Sequence, residues 1–460
     1  MSLLSTLTSA STALQAFSTA LGADQTNVSN ASTPGFAAIR ATIQPLGSST
    51  PGGASPDFVE FQSTGSLHAD ALVQSASSQS SFSQTSADRL DPVNQLFDIT
   101  GSSGILASLR QFSTAFSSLS VSPSDPSLRS TALASAGSVA SAFRKVAASL
   151  DSQKADVDST IQSTVASINK LAGQIRQFNV SARSQTQVDP GTDAGLRSAL
   201  DQLASLTDIS VLKNADGTVS VLTGGQQPLV LGDQAYTLSA DLSAPPGSQI
   251  ASSGGGSSPS AYSGQLGALL GVRGSLQALV GGDGATGSLN DLAKGFASRV
   301  NALFATGVTT DGTPGGPIFT YDSSNDSNVA RTLATDPAVT PDQLALATTG
   351  TSPQSNGVAI QLAALLSSSQ AADQISGLSP QGLFASIAAA VGQQLSDARN
   401  QSSTDATALT SAQASRQQTS GVSLDQEAVS ITAYQRSYEA SAKLVSILDQ
   451  LTSDEVNLIK

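Results

Sequence analysis

Apolar residues at the start of the chain recur in alternating steps of four and three. Leu3, Leu7, Ala10, Leu14, Phe17, Leu21 and Val28 share one stripe, interrupted only by Asp24. This is the seam of a coiled-coil helix. The far end repeats the pattern: Leu424, Ile431, Tyr434, Tyr438, Val445, Leu448 and Ile459 keep the register, broken by Glu427, Ser441, Thr452 and Glu455. Two amphipathic helices therefore bracket the chain, and neither is expected to stand alone. Ordering about 30 backbone residues costs on the order of 1 to 2 kcal/mol each. Burying the five large residues Leu3, Leu7, Leu14, Phe17 and Leu21 returns roughly 1.5 to 3 kcal/mol apiece. The ends need partners, either each other or other subunits.

Between the ends lie further helical patterns. Leu109, Phe112, Phe116 and Leu119 share a face; SPSDPSLRS then supplies capping residues with Pro126 near a helix start. Val139, Phe143, Val146 and Leu150 continue, and Val157, Ile161, Ile168, Leu171, Ile175 and Phe178 predict a long helix. Phe384, Ile387, Val391 and Leu395 open another, whose polar continuation to Ser420 reads as a solvent-bathed edge. In the middle the period changes. Residues 209–240 hold β-branched runs separated by NADG, GGQQ and GD, which predict hairpins. The SAPPGSQIASSGGGSSPSAY stretch that follows reads as a flexible loop.

The expected architecture is α+β, multidomain and elongated: a terminal coiled-coil region and a long-helix bundle carrying an inserted, mainly antiparallel β domain. In residue numbers, helix 1–36 pairs with helix 424–460, and the helical body spans 37–205, 263–307 and 355–423. The β domain takes 206–262, and a second β or irregular outer piece takes 308–354.

Composition sharpens this picture. With 460 residues, no Trp and 4% aromatics, the chain is long but poor in large core residues, which favours elongated helical packing with small contacts. A net charge of -13 repels phosphate backbones and anionic headgroups, so neither nucleic acid nor membrane is an expected partner. Cysteine is absent, which excludes disulfides and thiolate metal sites. The first basic residue is Arg40 and no continuous apolar run precedes it, so a cleavable secretory signal is not expected. No run reaches the roughly 18 apolar residues of a membrane span.

Candidate chemistry is sparse, and no catalytic, cofactor-binding or metal residue is expected. His68 is the single histidine and no G-x-S-x-G elbow accompanies it. GGDGATG lacks the Lys-Ser/Thr of a phosphate loop and reads as a linker. DSSNDSN has the composition of a calcium loop without its ligand spacing. Asp156 and Asp158, and Asp454 and Glu455, read as solvated helix faces. Asn27 and Asn30 open glycosylation sequons, yet their polar groups suit helix ending and turn formation better.

Those two asparagines belong to NVSNASTPGF at residues 27–36. With Asn27, Asn30, Thr33, Pro34, Gly35 and Phe36, the stretch resembles the N-terminal signature of bacterial flagellar axial proteins. Phe36 stands where that family more often has Tyr; it keeps the ring and loses the hydroxyl. Residues 420–451, SGVSLDQEAVSITAYQRSYEASAKLVSILDQL, are similar to the closing segment of the hook-associated protein 1 family, with Gly421, Val422, Leu424, Asp425, Glu427, Gln435, Tyr438 and Ala440 on matching positions. SVSPSDPSLRSTALASAGSVASAF, ISVLKNADGTVSVLTGGQQPLV, SGQLGALLGVRGSL and GTPGGPIFTYD resemble the same family in its order, although GALLGVRGSL lacks charged residues usual there. The chain is short between Pro317 and Ala347, which implies a reduced or missing outer domain.

The resemblance implies an extracellular, non-enzymatic structural protein of the flagellum at the junction of hook and filament, needed for filament assembly and motility. It implies unfolded export through the flagellar type III apparatus, with an export chaperone on the C-terminal helix. The subunits would self-associate into a ring in the flagellar axis, with hook protein below and the second junction protein and filament above. The terminal helices would pair in the inner core, with NVSNASTPGF as the hinge to the outer domains and Phe36 as an anchor. Another axial protein (hook protein or second junction protein) and a secreted coiled-coil adhesin are the alternatives.

Overall fold

The computed structural model describes residues 3–45, 57–184, 190–255, 261–282, 285–349 and 354–458. From the N-terminus, α1 (Leu3–Ser29) leads into an antiparallel ribbon of β1 (Ile39–Pro45) and β2 (Asp57–Ser63). Four helices follow: α2 (Leu67–Gln95), α3 (Ile105–Val121), α4 (Pro126–Ser184) and α5 (Pro190–Leu206). An antiparallel meander comes next, made of β3 (Ile209–Lys213), β4 (Val219–Thr223), β5 (Gln227–Leu231) and β6 (Gln234–Ala235), beside a hairpin of β7 (Leu238–Ala240) and β8 (Ile250–Ser252). Helices α6 (Gly264–Val280) and α7 (Ser288–Ala305) return the chain to the body. Short pieces then run across it: β9 (Gly307–Val308), β10 (Phe319–Thr320), α8 (Val329–Thr332), β11 (Ala334–Thr335) and β12 (Ala347–Thr348). The chain closes with α9 (Gly357–Ala364), α10 (Pro380–Ser420) and α11 (Leu424–Leu458).

Sequence and structure agree on the long helices: the pattern at Val139–Leu150, extended through Val157–Phe178, is one continuous α4 of 59 residues. Residues 37–205 are not helical throughout, because β1 and β2 occupy their beginning. Helix α2 carried no large-residue stripe to announce it: toward its partners it buries Ser78, Ser80, Ser83 and Gln74 beside Ala69, Val73, Leu90 and Val93. Its partner is α10, which runs antiparallel along it, from Arg399 paired with Asp91 to Arg416 beside Asp70. Serine and alanine let two backbones approach closely, so the polar half of α10 is solvated on one side only.

Few aromatics still suffice for a continuous core, because they are concentrated. Phe112 packs on Phe116 and Phe296 at centroid distances of 4.5 and 5.4 Å, and Phe304 and Phe319 extend the group. Val219, Val221, Leu229 and Val230 of the meander and Ile318, Phe319, Leu333 and Leu346 of the later short pieces share that core. The inserted β structure therefore completes the helical body on one face.

Side-chain amides fasten helices to neighbouring backbone in a repeated way. Asn179 of α4 donates to the Val219 carbonyl at 2.8 Å and accepts from its N–H at 2.9 Å. Asn169 does the same with Leu238, and Asn301 of α7 with Phe319. Charge supplies a further tie. The buried Arg273 of α6 donates to Asp158 of α4 at 2.6 Å and to the Leu242 carbonyl at 2.7 Å. Asp156 is exposed as expected, but Asp158 is a bridge between helices and not part of a solvated face.

Candidate assembly surface

Helices α1 and α11 lie antiparallel, with Asn27 beside Glu427 at one end and Phe17 near Tyr434 further along, their ring centroids 6.4 Å apart. The most buried face of α1 is made of small residues: Ala10, Ala16, Ala20 and Ala23, with Asp24 and Asn27. The large residues of the four-three stripe flank it. Leu7, Leu14, Phe17 and Leu21 are half-buried, and Val28 is exposed; Leu3 opens the helix. On α11 the half-buried positions include Glu427, Ile431, Tyr434, Ser441, Val445, Leu448 and Thr452. Three of the polar residues that interrupt the sequence stripe thus lie on its inner face, whereas Leu424 and Tyr438 point to solvent. Ile459 lies outside the described residues.

A second apolar stripe on α11 stays largely exposed among the described residues. Val429, Leu444, Ile447 and Leu451 are 71, 47, 54 and 49% exposed. At about 100° per residue these positions lie on one side of the helix, roughly a third of a turn from the face toward α1.

The stretch between α1 and the ribbon is pinned at several points. Asn30 donates to the Thr26 carbonyl and accepts from the Thr33 hydroxyl, which ends α1. Gly35 has φ +77, and a Cβ there would sit 2.8 Å from the Ala194 carbonyl oxygen, so only glycine fits. Pro34 is exposed and Phe36 half-buried, both bordering a cleft of about 250 Å3 with Arg197, Gln413, Arg416 and Gln417. The Ala38 N–H donates to the carbonyl of Ser420, the last residue of α10, at 2.9 Å. The Ser420 hydroxyl accepts from the Ser66 N–H at 3.2 Å. Both connections between the terminal pair and the body thus meet at Ser420.

Beneath this joint, Arg197 bridges Asp70 and Asp193 at 3.2 and 2.9 Å, and Arg416 reaches Asp201 at 2.8 Å. Burial raises the carboxyls of Asp70 and Asp201 while the arginines oppose it. These charges tie α2, α5 and α10 together where the axis leaves the body. Nothing in the residue pattern marked them, because five residues from three distant segments carry no local spacing.

At the joint's other side Asn27, 1% exposed, repeats the amide arrangement of the body: it accepts from the Ile39 N–H at 2.8 Å and donates to the Ile39 carbonyl at 2.8 Å. The same amide nitrogen donates to Glu427 Oε2 at 3.0 Å. Asn27 is therefore a tie among α1, β1 and α11 and is closed to a glycan. Burial, and next the adjacent Glu427 charge, pushes Asp24 up to about 6. The same two carboxyls, after burial, raise the Tyr434 phenol.

The remaining motifs are turns and caps. His68 is exposed in the first turn of α2. The glycine-rich stretch joins α6 to α7, with Gly282 bridged to Ala285; residues 283 and 284 lie outside the described residues. In DSSNDSN, Asp322 accepts from the Ser324 N–H, Asn325 from the Ser327 N–H, and Asp326 pairs with Lys294. Among the described residues no group of three or more His, Cys, Asp or Glu side chains has the arrangement of a metal site. No described helix is long and apolar enough to cross a membrane.

A long antiparallel terminal pair, pinned by a joint to an outer helical body and carrying an open apolar stripe, defines an elongated assembly subunit. Comparison with known proteins gives the class a family. The model described as "Flagellar hook-associated protein FlgK helical domain" matches residues 90–319, half of the chain. The one described as "Flagellar basal body rod FlgEFG protein C-terminal" matches residues 413–458. Flagellar hook-associated protein 1 of Bacillus subtilis is 25% identical, over 98% of this chain and 97% of its own length. Its namesake from Salmonella typhimurium is 28% identical over 57% of this chain and 49% of its own. The structure of the flagellar hook junction protein FlgK from Burkholderia pseudomallei shares the fold, with a TM-score of 0.62 at 16% identity, over 75% of this chain and 99% of that one. The chain belongs to the flagellar hook-associated protein FlgK family.

Proposed function

We propose that this chain is a non-enzymatic structural subunit of the bacterial flagellum that forms the junction between hook and filament and is required for filament growth and motility. The observation that carries the reading is the terminal pair. Its family-matched C-terminal segment leaves Val429, Leu444, Ile447 and Leu451 exposed on a helix that packs, among the described residues, chiefly on α1. Fully burying one such side chain gains roughly 1.5 to 3 kcal/mol, so a handful of half-exposed residues repeated around a ring supplies substantial association energy.

In this reading the terminal pairs line the inner tube, while α2 to α10 and the β structure face outward. Leu7, Leu14 and Leu21 flank the Ala seam and add to the contact with neighbouring copies; Ile431, Tyr434, Val445 and Leu448 hold the pair. Hook protein lies below, the second junction protein and filament above, and an export chaperone covers the C-terminal helix before the subunit is secreted. The test is deletion of the gene. Loss of swimming with hooks retained and flagellin shed into the medium is the expected result; normal filaments would overturn the proposal.

A further inference from the structure

Asp24 is the only charged residue in α1, yet it is 6% exposed and faces α11. One helical turn before Asn27, whose amide holds Glu427, its carboxyl lies beside that of Glu427, and among the described residues its Oδ2 has no hydrogen-bond partner. Ionised carboxylates only accept hydrogen bonds, so a bond between two of them requires a proton. Glu427 cannot simply turn away, because its Oε2 is held by Asn27, whose amide is itself fixed by Ile39. Among the described residues the Tyr434 phenol of α11 also faces the pair. Arg40 of β1 and Glu60 of β2 lie on exposed positions of the ribbon. Among the described residues no cation is paired with either carboxyl.

We propose that Asp24 and Glu427 form a proton-operated latch between the terminal helices, closed by one proton shared between the two carboxyls and loosened when that proton leaves. Closing takes the proton from solvent; opening returns it and leaves two carboxylates facing each other beside Asn27. The latch belongs to the single subunit and does not depend on where that subunit assembles.

The direction with pH follows from the two states. In the closed pair Asp24 titrates at about 6, and when the helices part it returns toward 3.8. The closed form is favoured below that window and weakens as pH rises through about 6. Between pH 5 and pH 8 the closed-to-open ratio falls roughly tenfold, as these two values require.

The test uses the full chain, which has no native cysteine. Spin labels on Gln15→Cys and Gln435→Cys, exposed positions on α1 and α11, report the distance between the helices. A narrow distribution at pH 5 that broadens toward longer distances at pH 8 is expected. Asp24→Asn supplies an N–H in place of the shared proton and is expected to give the narrow distribution at both pH values. Glu427→Gln is a second, independent replacement with the same expectation. An unchanged distribution in the parent chain, or a pH response that survives both substitutions, would overturn the latch. Closure at pH 8 on adding calcium alone would also overturn it, by putting a cation where the proton belongs. Labels at Ser152→Cys and Ser163→Cys within α4 are expected to show no change; movement there would mean general unfolding and count against the proposal.

Discussion

Asn27, Asn169, Asn179 and Asn301 each meet one backbone residue through both of its polar groups. The side-chain amide has the same donor and acceptor as a peptide, so it extends a helix sideways into a strand-like ladder. Removing it leaves a buried N–H and a carbonyl without partners. Asn179→Ala is accordingly expected to destabilise the body by about 2 to 4 kcal/mol, read from the midpoint of urea unfolding. Gly35 is constrained in a different way, by a left-handed backbone and a neighbouring carbonyl. Gly35→Ala is expected to cost about 1 to 2 kcal/mol from the backbone alone, with more from the contact, and to lower incorporation into flagella while the body still melts cooperatively. The axial signature was legible as a motif. That Asn27 clasps Ile39 and Glu427, while Asn30 ends the helix, was not, because partners 12 and 400 residues away leave no local trace.

Among the elements, the terminal helices differ from the body in what covers them. Most of α4's inner face is fully buried, whereas none of the α11 side chains with a described exposure is. Protection against hydrogen exchange follows buried contacts. In dilute subunits, amides of α1 and α11 are expected to exchange faster than those around Phe143 to Ile175, and to slow markedly on assembly; equal protection in free subunits would contradict this. The four-three stripe located both helices correctly. It did not show which face each turns to the other, because Ala and Ser seams are invisible to a count of large residues. For the same reason α2 went unrecognised.

For the whole molecule, a body with one continuous core carries an axis attached at a single joint around Ser420. Assembly and stability are therefore separable. Leu444→Asp combined with Ile447→Asp places two charges on the open stripe and touches nothing in the body. The expected outcome is loss of incorporation at the hook tip with the thermal unfolding of the body unchanged. A variant that still builds filaments would remove the stripe from the contact.

The sequence by itself determined the helices that carry a stripe of large apolar residues, because periodicity and capping are local, and it pointed to the family through short motifs kept in order along most of the chain. It also announced the meander through β-branched runs between glycine turns. Tertiary structure alone decided how these parts meet. It set α1 against α11 through alanines, brought Asp24 beside Glu427, and gathered Asp70, Asp193, Asp201, Arg197 and Arg416 under the joint. The reason is physical: propensity and periodicity act over a few residues, whereas the environment of a buried charge depends on whichever distant segment lies across from it.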